Sequence, residues 1–216
     1  IDLRLKAMVA RVVIENKRAT GVAWSDSTGA HKATARREII LSGGTFNSPQ
    51  LLQLSGVGPA ADLQKHGISV QHDLPGVGEN LQDHFGIGAE YRSKGASTVN
   101  DLYNSKIKGG FQLLRYALFR TGPFADNGNY SNSFIRSGPD IDRPDMMVTF
   151  MAWCTNEQLK PHPFSGFTIL AEHMRPNSRG SVKIKGPKPT DQPAIQFNFF
   201  ADEADQRAAI AGLRFG

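Results

Sequence analysis

The chain has 216 residues, of which 39% are hydrophobic and 21% charged, and a formal net charge of +5. That length supports a substantial core in one or two domains, and basic and acidic residues are mixed along it with no long basic run, which excludes nucleic-acid binding as a main role. One cysteine, Cys154, excludes an internal disulfide and a cysteine-based zinc cluster, and no apolar run is long enough to span a bilayer.

The residues up to about Ser42 read as strands. Ala7 to Ile14 is rich in β-formers, Asn16-Lys17 suggests a turn, Thr20 to Ser25 returns, and Ser27-Thr28-Gly29 marks the next reversal. Arg37 to Leu41, with the apolar run Glu38-Ile39-Ile40-Leu41, predicts a buried strand running into Ser42-Gly43-Gly44. Ser48 is then expected as a helix N-cap, with Pro49 at the first helical position and Gly56 just past the end. Glycines at a strand end let a backbone come close to a ligand. A tight turn and short packed helix with no ligand is the alternative reading of the same spacing.

Pro59 to Lys65 predicts a short helix anchored by Leu63 and ended by Gly67, and Val70 to Leu74 a short extended piece. Pro75 to His84 reads as a turn-rich loop of the kind that can line a site. Gly86 to Tyr91 is a strand candidate and Ser93 to Lys106 a polar loop. Between Gly110 and Arg120, Phe111, Leu114, Ala117 and Leu118 fall at helical spacing, with Gly122 as a stop; core packing is the expected use of that stripe. Strand candidates then recur at Tyr130–Ile135, Met146–Trp153, Phe167–His173, Ser181–Ile184 and Ile195–Phe200, a pattern that suggests an antiparallel sheet. Lys183 to Lys188 reads as a strand face and its turn. Asp202 to Leu213 begins a helix with Ala208, Ile210 and Leu213 inward.

Three passages carry a resemblance. Gly44-Thr45-Phe46-Asn47-Ser48-Pro49-Gln50-Leu51-Leu52-Gln53-Leu54-Ser55-Gly56-Val57-Gly58 fills every constrained position of the second signature of the glucose-methanol-choline (GMC) flavin oxidoreductases. Leu74-Pro75-Gly76-Val77-Gly78-Glu79-Asn80-Leu81-Gln82-Asp83-His84 resembles that family's PGVGxNLQDH segment, and Arg175-Pro176-Asn177-Ser178-Arg179-Gly180-Ser181-Val182 its RPxSRGxV segment. They occur in the family's order, and the choline dehydrogenase-like alcohol dehydrogenases are the most similar subfamily.

The resemblance implies a mixed α+β and α/β fold: part of an FAD-binding, Rossmann-like domain over 1–88, then a substrate-binding domain over 89–200 whose antiparallel sheet is flanked by helices. It implies that the C-terminal family segment begins near 174 and that 201–216 starts a helix leading back to the FAD domain. It implies FAD as cofactor, with Val9, whose family counterpart contacts the adenine portion through its backbone, Ser42, Gly43, Gly44 and Asn80 as cofactor-binding residues. It further implies oxidation of a primary alcohol by hydride transfer to flavin, and leaves the electron acceptor (oxygen, quinone or dye) and the oligomeric state open.

No catalytic residue is assigned within these residues. The family's glycine fingerprint for FAD is not among them, and its catalytic histidine is expected C-terminal to this chain, so the 216 residues alone are expected to be inactive. A non-catalytic fragment or binding module that holds no flavin is the alternative. Ile1 to Lys6 has no signal-peptide profile and no initiator methionine, which reads as a start within a longer polypeptide; a cytoplasmic location is expected.

Other polar groups weigh towards structure. His84 reads as held by its loop, with Asn80 and Asp83 better suited to anchoring that loop beside the flavin than to chemistry. No pair of histidines has metal-ligand spacing with a nearby carboxylate, so no metal site is expected. Glu172 and Arg175 suggest a surface salt bridge, or an inward carboxylate for a cationic headgroup. Phe150, Trp153, Phe164 and Phe167 are candidates to line an apolar alcohol pocket or to fill core. Cys154 reads as a buried small apolar residue.

Overall fold

In a computed structural model, which describes residues 2–126 and 128–216, the β-rich opening becomes a three-stranded antiparallel sheet of β1 (Met8–Glu15), β2 (Arg18–Asp26) and β3 (Gly29–Thr34). Ile1, the first residue of the stretch read as strands, lies outside the described residues. Asn16 and Lys17 adopt left-handed backbone at the first reversal (φ 51° and 63°). The ladder of β1 steps irregularly between Val9 and Arg11, leaving Ala10 unmatched opposite β2. Such a bulge bends a strand and re-aims the side chains beside it.

The buried strand expected at 37–41 does not form. Those residues belong to no strand, residue 37 lying in a bend, and Ile40 is 77% exposed. A β-forming run becomes a strand only beside a neighbour that accepts its ladder, and the first unit offers none there.

The following helix, α1 (Gly44–Leu54), starts four residues before the expected cap, behind Gly43. Gly44 at φ +77° turns the chain into it. Ser48 therefore sits inside the helix, where its Oγ accepts the Gly43 N–H at 3.0 Å, and Pro49 is interior as well. The C-terminal expectation holds: Gly56 follows at φ +84°, and its N–H donates to the Gln53 carbonyl. Next come β4 (Val57–Gly58), α2 (Ala60–Lys65), with Leu63 fully buried, and β5 (His72–Asp73). The two short strands pair in parallel around α2, a miniature crossover unit.

Contacts divide the chain into two units: residues 1–83 with 178–199, and residues 84–177 with 200–216. The first unit is completed by β6 (Glu79–Leu81), β11 (Gly180–Lys183) and β12 (Ala194–Gln196), which form an antiparallel sheet in the order β12-β11-β6. Two of the five strand candidates in the second half thus belong to a different sheet from the other three.

The second unit holds a four-stranded antiparallel sheet in the order β7-β10-β9-β8: β7 (Phe85–Arg92), β8 (Asn129–Ile135), β9 (Met146–Met151) and β10 (Gly166–His173). Helix α5 (Glu203–Phe215), capped by Asp202 Oδ1 accepting from the Ala204 N–H, packs on it. Met146, Val148, Ala171 and Ala208 form the buried cluster, with Ile135, Ile169 and Leu213 against it. Ile210, expected inward, is half exposed, because Asp205, Ala208, Ala209 and Gly212 make the buried stripe at i, i+3, i+4 and i+7. A Cβ at Gly212 would stand 2.5 Å from Met146 Cε, so helix and sheet meet at a glycine.

Two helices complete this unit. The segment expected to be a polar loop contains α3 (Val99–Tyr103), with Thr98 and Asp101 forming a capping box. Helix α4 (Lys106–Phe119) covers the expected stripe and ends at Arg120, but buries none of its residues; Phe111, Leu114 and Leu118 are exposed, contrary to the core expectation.

Candidate functional site

The three motifs converge within the first unit on one residue of β11, Val182. From α1, Gln53 donates its Nε2 to the Val182 carbonyl at 3.0 Å and to the Pro49 carbonyl at 3.1 Å, while its Oε1 accepts the Ile184 N–H at 3.2 Å. From the second motif, the Gly78 carbonyl accepts the Val182 N–H at 2.6 Å. Gly78 has φ +83°, and a Cβ on it would stand 2.2 Å from the Val182 carbonyl oxygen, so only glycine fits. From the third motif, a Cβ at Gly180 would stand 1.9 Å from the Gln196 carbonyl oxygen; here β11 and β12 approach too closely for any side chain.

The end of the first motif is also structural. Ser55 Oγ accepts the Val12 N–H at 2.8 Å and donates to the Leu51 carbonyl at 2.5 Å, tying β1 to α1. Gly56 lies against the Ser69 carbonyl, where a Cβ would come within 2.4 Å. Gln53 occupies a free position of the family pattern, so the motif gives no notice of its role. Its full burial follows from the backbone groups it satisfies.

The same unit holds a cleft of about 630 Å³, walled by Met8, Val9, Ser42, Gly43, Gln50 and Leu51 and by the turn at residues 189–193. Three of the residues expected to bind a cofactor, Val9, Ser42 and Gly43, thus share one cleft. Gly44 adjoins it at the first turn of α1, where a Cβ would meet nothing within 4 Å. Gln50 Nε2 donates to the Asp191 carbonyl at 2.7 Å and fixes the far wall. Asn80 is not in this cleft. It lies in a smaller depression with Thr45, Pro49, Gly78 and Val182, in left-handed backbone at φ +64° that asparagine tolerates well. An apolar cavity of about 440 Å³, lined by Val12, Ile14, Ile39, Leu41, Leu52 and Val57 among others, takes Ile39 and Leu41 of the unpaired run, which also border the cleft.

Of the four aromatics that are candidates to line a pocket or fill core, Phe150 and Phe167 pack together on the sheet of the second unit. Phe167 stacks on Tyr91 at 5.1 Å and tilts against Phe150 at 5.5 Å, a row across the sheet. Phe164 stacks on His162 at 4.6 Å beneath the Arg92 guanidinium. Trp153 instead bounds Gly128, whose Cβ would be 3.0 Å from the indole nitrogen. Cys154 is buried as expected, beside Asn100, and burial raises its thiol pKa. Asn100 donates to the Cys154 and His162 carbonyls and accepts the Cys154 N–H.

His173 carries a role that no local spacing signals. It is buried at the end of β10, with Nε2 3.6 Å from Asp145 and Nδ1 3.4 Å from Asp205. Burial lowers its pKa, while the Asp205 and Asp145 carboxylates pull it back up and His84 presses it further down. Asp205 also accepts the Asn177 N–H at 2.8 Å, and Asp145 accepts the N–H and the hydroxyl of Ser137. These are fastenings between loops and sheet. The salt bridge suggested for Glu172 and Arg175 is absent among the described residues: Glu172 is half-buried on the strand face opposite His173, against Gly86, and Arg175 is exposed in the following loop. Arg179 Nη1 donates to the Ser178 carbonyl at 3.1 Å, in keeping with a loop-holding arginine.

Comparison with known proteins agrees with this geometry. Two family models described as GMC oxidoreductase, one N-terminal and one C-terminal, match residues 1–86 and 176–216. An alcohol dehydrogenase [acceptor] of Pseudomonas putida is 34% identical over 219 residues, covering 100% of this chain and 40% of that protein. An oxygen-dependent choline dehydrogenase of Staphylococcus aureus (strain MSSA476) is also 34% identical, over 99% of this chain and 37% of its own. Among solved structures, a formate oxidase of Aspergillus oryzae RIB40, studied for modification of its FAD, superposes with a TM-score of 0.84 at 27% identity, covering 97% of this chain and 42% of that one. The chain thus spans about 40% of the length of the curated relatives it matches.

Proposed function

Because the chain belongs to the GMC oxidoreductase family, we propose that it is the central portion of an FAD-dependent enzyme that oxidises a primary alcohol, choline or one similar to it, by hydride transfer to flavin. The observation that carries this reading is the cleft that brings Val9, Ser42 and Gly43 together from two distant segments. Its chemistry suits a dinucleotide: apolar side chains on one side, and on the other an exposed Ser42–Gly44 backbone with no side chain beyond Cβ except a serine hydroxyl.

In this reading Val9, Ser42, Gly43 and Gly44 approach FAD through main chain, and the bulge at Ala10 bends the strand beside Val9. Asn80 steadies the Pro75–His84 loop beside the same cofactor, from the far side of the first turn of α1. When bound, FAD supplies the hydride acceptor. The residues of this chain shape and hold: Gln53, Gly78 and Gly180 fix the sheet against α1, and Gln50 fixes the cleft's outer turn. The first unit serves the cofactor, the second the alcohol, and the protein works in the cytoplasm.

Two measurements test the reading. Titrating the purified protein with FAD should quench flavin fluorescence to saturation, and Ser42→Trp, an exposed site whose indole would fill the cleft, should weaken that binding at least tenfold. Saturable binding that ignores Ser42→Trp removes the cleft from the proposal. Alcohol-dependent dye reduction should be undetectable for the 216 residues alone; turnover by them would show that the catalytic base lies within this chain after all.

A further inference from the structure

Helix α4 carries its apolar stripe on the outside. Ile107, Phe111, Leu114 and Leu118 lie at i, i+4, i+7 and i+11, one continuous ridge, and are 87%, 66%, 56% and 65% exposed. The residues that are half-buried, Gly109, Gln112 and Tyr116, recur at i, i+3 and i+7 on the opposite side of the helix. The helix is therefore seated by its polar and small side and presents its apolar side outward. Tyr103 and Phe124, on the segments just before and after it, are exposed too.

The charges carried by this helix are all of one sign, although Asp101, before it, attracts Lys108. Lys106, Lys108, Arg115 and Arg120 fall within residues 102–125, and that stretch contains no aspartate or glutamate. Among the described residues none of the four forms a salt bridge; Arg115 donates to Thr121 Oγ1 and Arg120 lies over the Tyr116 ring. An apolar ridge on a helix whose own charges are all cationic complements a surface that is apolar beneath and anionic on top. No helix among the described residues is long and apolar enough to cross a membrane, so such a helix lies in the interface and does not span it.

We infer that α4 is a docking surface for an anionic lipid bilayer, with Ile107, Phe111, Leu114 and Leu118 entering the acyl boundary and Lys106, Lys108, Arg115 and Arg120 meeting the phosphate headgroups. A protein partner would equally use the apolar ridge. The four cations of the helix favour lipid, since each basic residue near an anionic surface is worth roughly fivefold in partitioning. The inference does not depend on the proposed alcohol oxidation.

The test is co-sedimentation of the full 216-residue protein with vesicles of phosphatidylcholine alone or mixed equally with phosphatidylglycerol. Binding to the mixed vesicles at low salt is expected, at least tenfold stronger than to phosphatidylcholine alone and falling steeply at 0.5 M salt. Ile107→Glu with Leu118→Glu should abolish it, and Lys106→Glu with Lys108→Glu should reduce it at least tenfold. Leu159→Glu, an equally exposed leucine elsewhere in the same unit, should leave it unchanged. All of these side chains are exposed, and unchanged circular dichroism and melting temperature would verify the fold. In addition, Phe111→Trp emission should shift to the blue on anionic vesicles only. Equal binding to both vesicle types, no binding to either, or equal loss with Leu159→Glu overturns the inference. Self-association abolished by the α4 variants, without vesicle binding, would assign the ridge to a second copy of the chain instead.

Discussion

In the first unit the fully buried Gln53 serves two carbonyls and an N–H; in the second the fully buried Met146 packs with valine and alanine. The first unit assembles two small three-stranded sheets, tight glycine contacts and open clefts around a polar pin. The second stacks one helix on a regular sheet through an apolar layer. A scaffold that keeps space for a ligand has less apolar surface to bury and relies on directed bonds, whereas a packed layer tolerates exchange of one apolar side chain for another.

The comparison is most severely tested at Gly78. Gly78→Val places a branched side chain where the Val182 carbonyl lies and at a φ that valine avoids, and should cost about 4 kcal/mol or more, enough to unfold the first unit. Chemical denaturation should then show one transition where the parent shows contributions from both units. A paired substitution comes next. Gln53→Leu leaves the Val182 carbonyl and the Ile184 N–H short of partners and should cost about 3 kcal/mol, while Met146→Leu conserves volume and should cost less than about 1.5 kcal/mol. Equal losses for the two would dissolve the distinction between pin and layer.

The smallest effects are in pH. Burial lowers the His173 pKa, so above about 6.5 the imidazole is neutral in both folded and unfolded chains. As pH falls below that value the unfolded chain takes up the proton first, and the second unit should lose stability; His173→Gln should flatten this slope in melting experiments. In the first unit, the Thr28 hydroxyl and N–H, followed by His31, hold the Asp26 carboxyl down to about 2 from 3.8. Its contribution is complete above about 3.8 and is lost as pH falls through about 2, so it stays constant across the window in which His173 acts. Carbon-13 titration of Asp26, with Thr28→Val raising its midpoint, measures that difference.

What was legible in the sequence follows the same division. Strands β7, β9 and β10 were readable because each finds its neighbours within this chain and alternates accordingly. The 37–41 run has the same composition and fails as a strand because composition cannot state whether a partner is beside it. Thr98 and Asp101 give a capping-box signal for α3 that outweighs the polarity of its surroundings. The spacing of α4 was correct, but periodicity defines a face without saying which way the face turns. The first motif lines the cleft, yet Gln53 at a free position, and His173 with carboxylates from two distant segments, depend on contacts that no local pattern encodes.

The junction at Val182 also sets an order of events on the ribosome. Gln53 and its acceptor are separated by 129 residues, and at about 5–20 residues per second that is roughly 6 to 26 s of synthesis during which the glutamine has no partner. The strands β7 to β10 emerge in the interval, while α5, which closes their sheet, emerges only after β11 and β12 have been made. The two units are thus interleaved in time, each waiting for a segment delivered after part of the other. A translational pause before residue 180 would prolong the exposure of both unfinished sheets until residues 180–216 have been made.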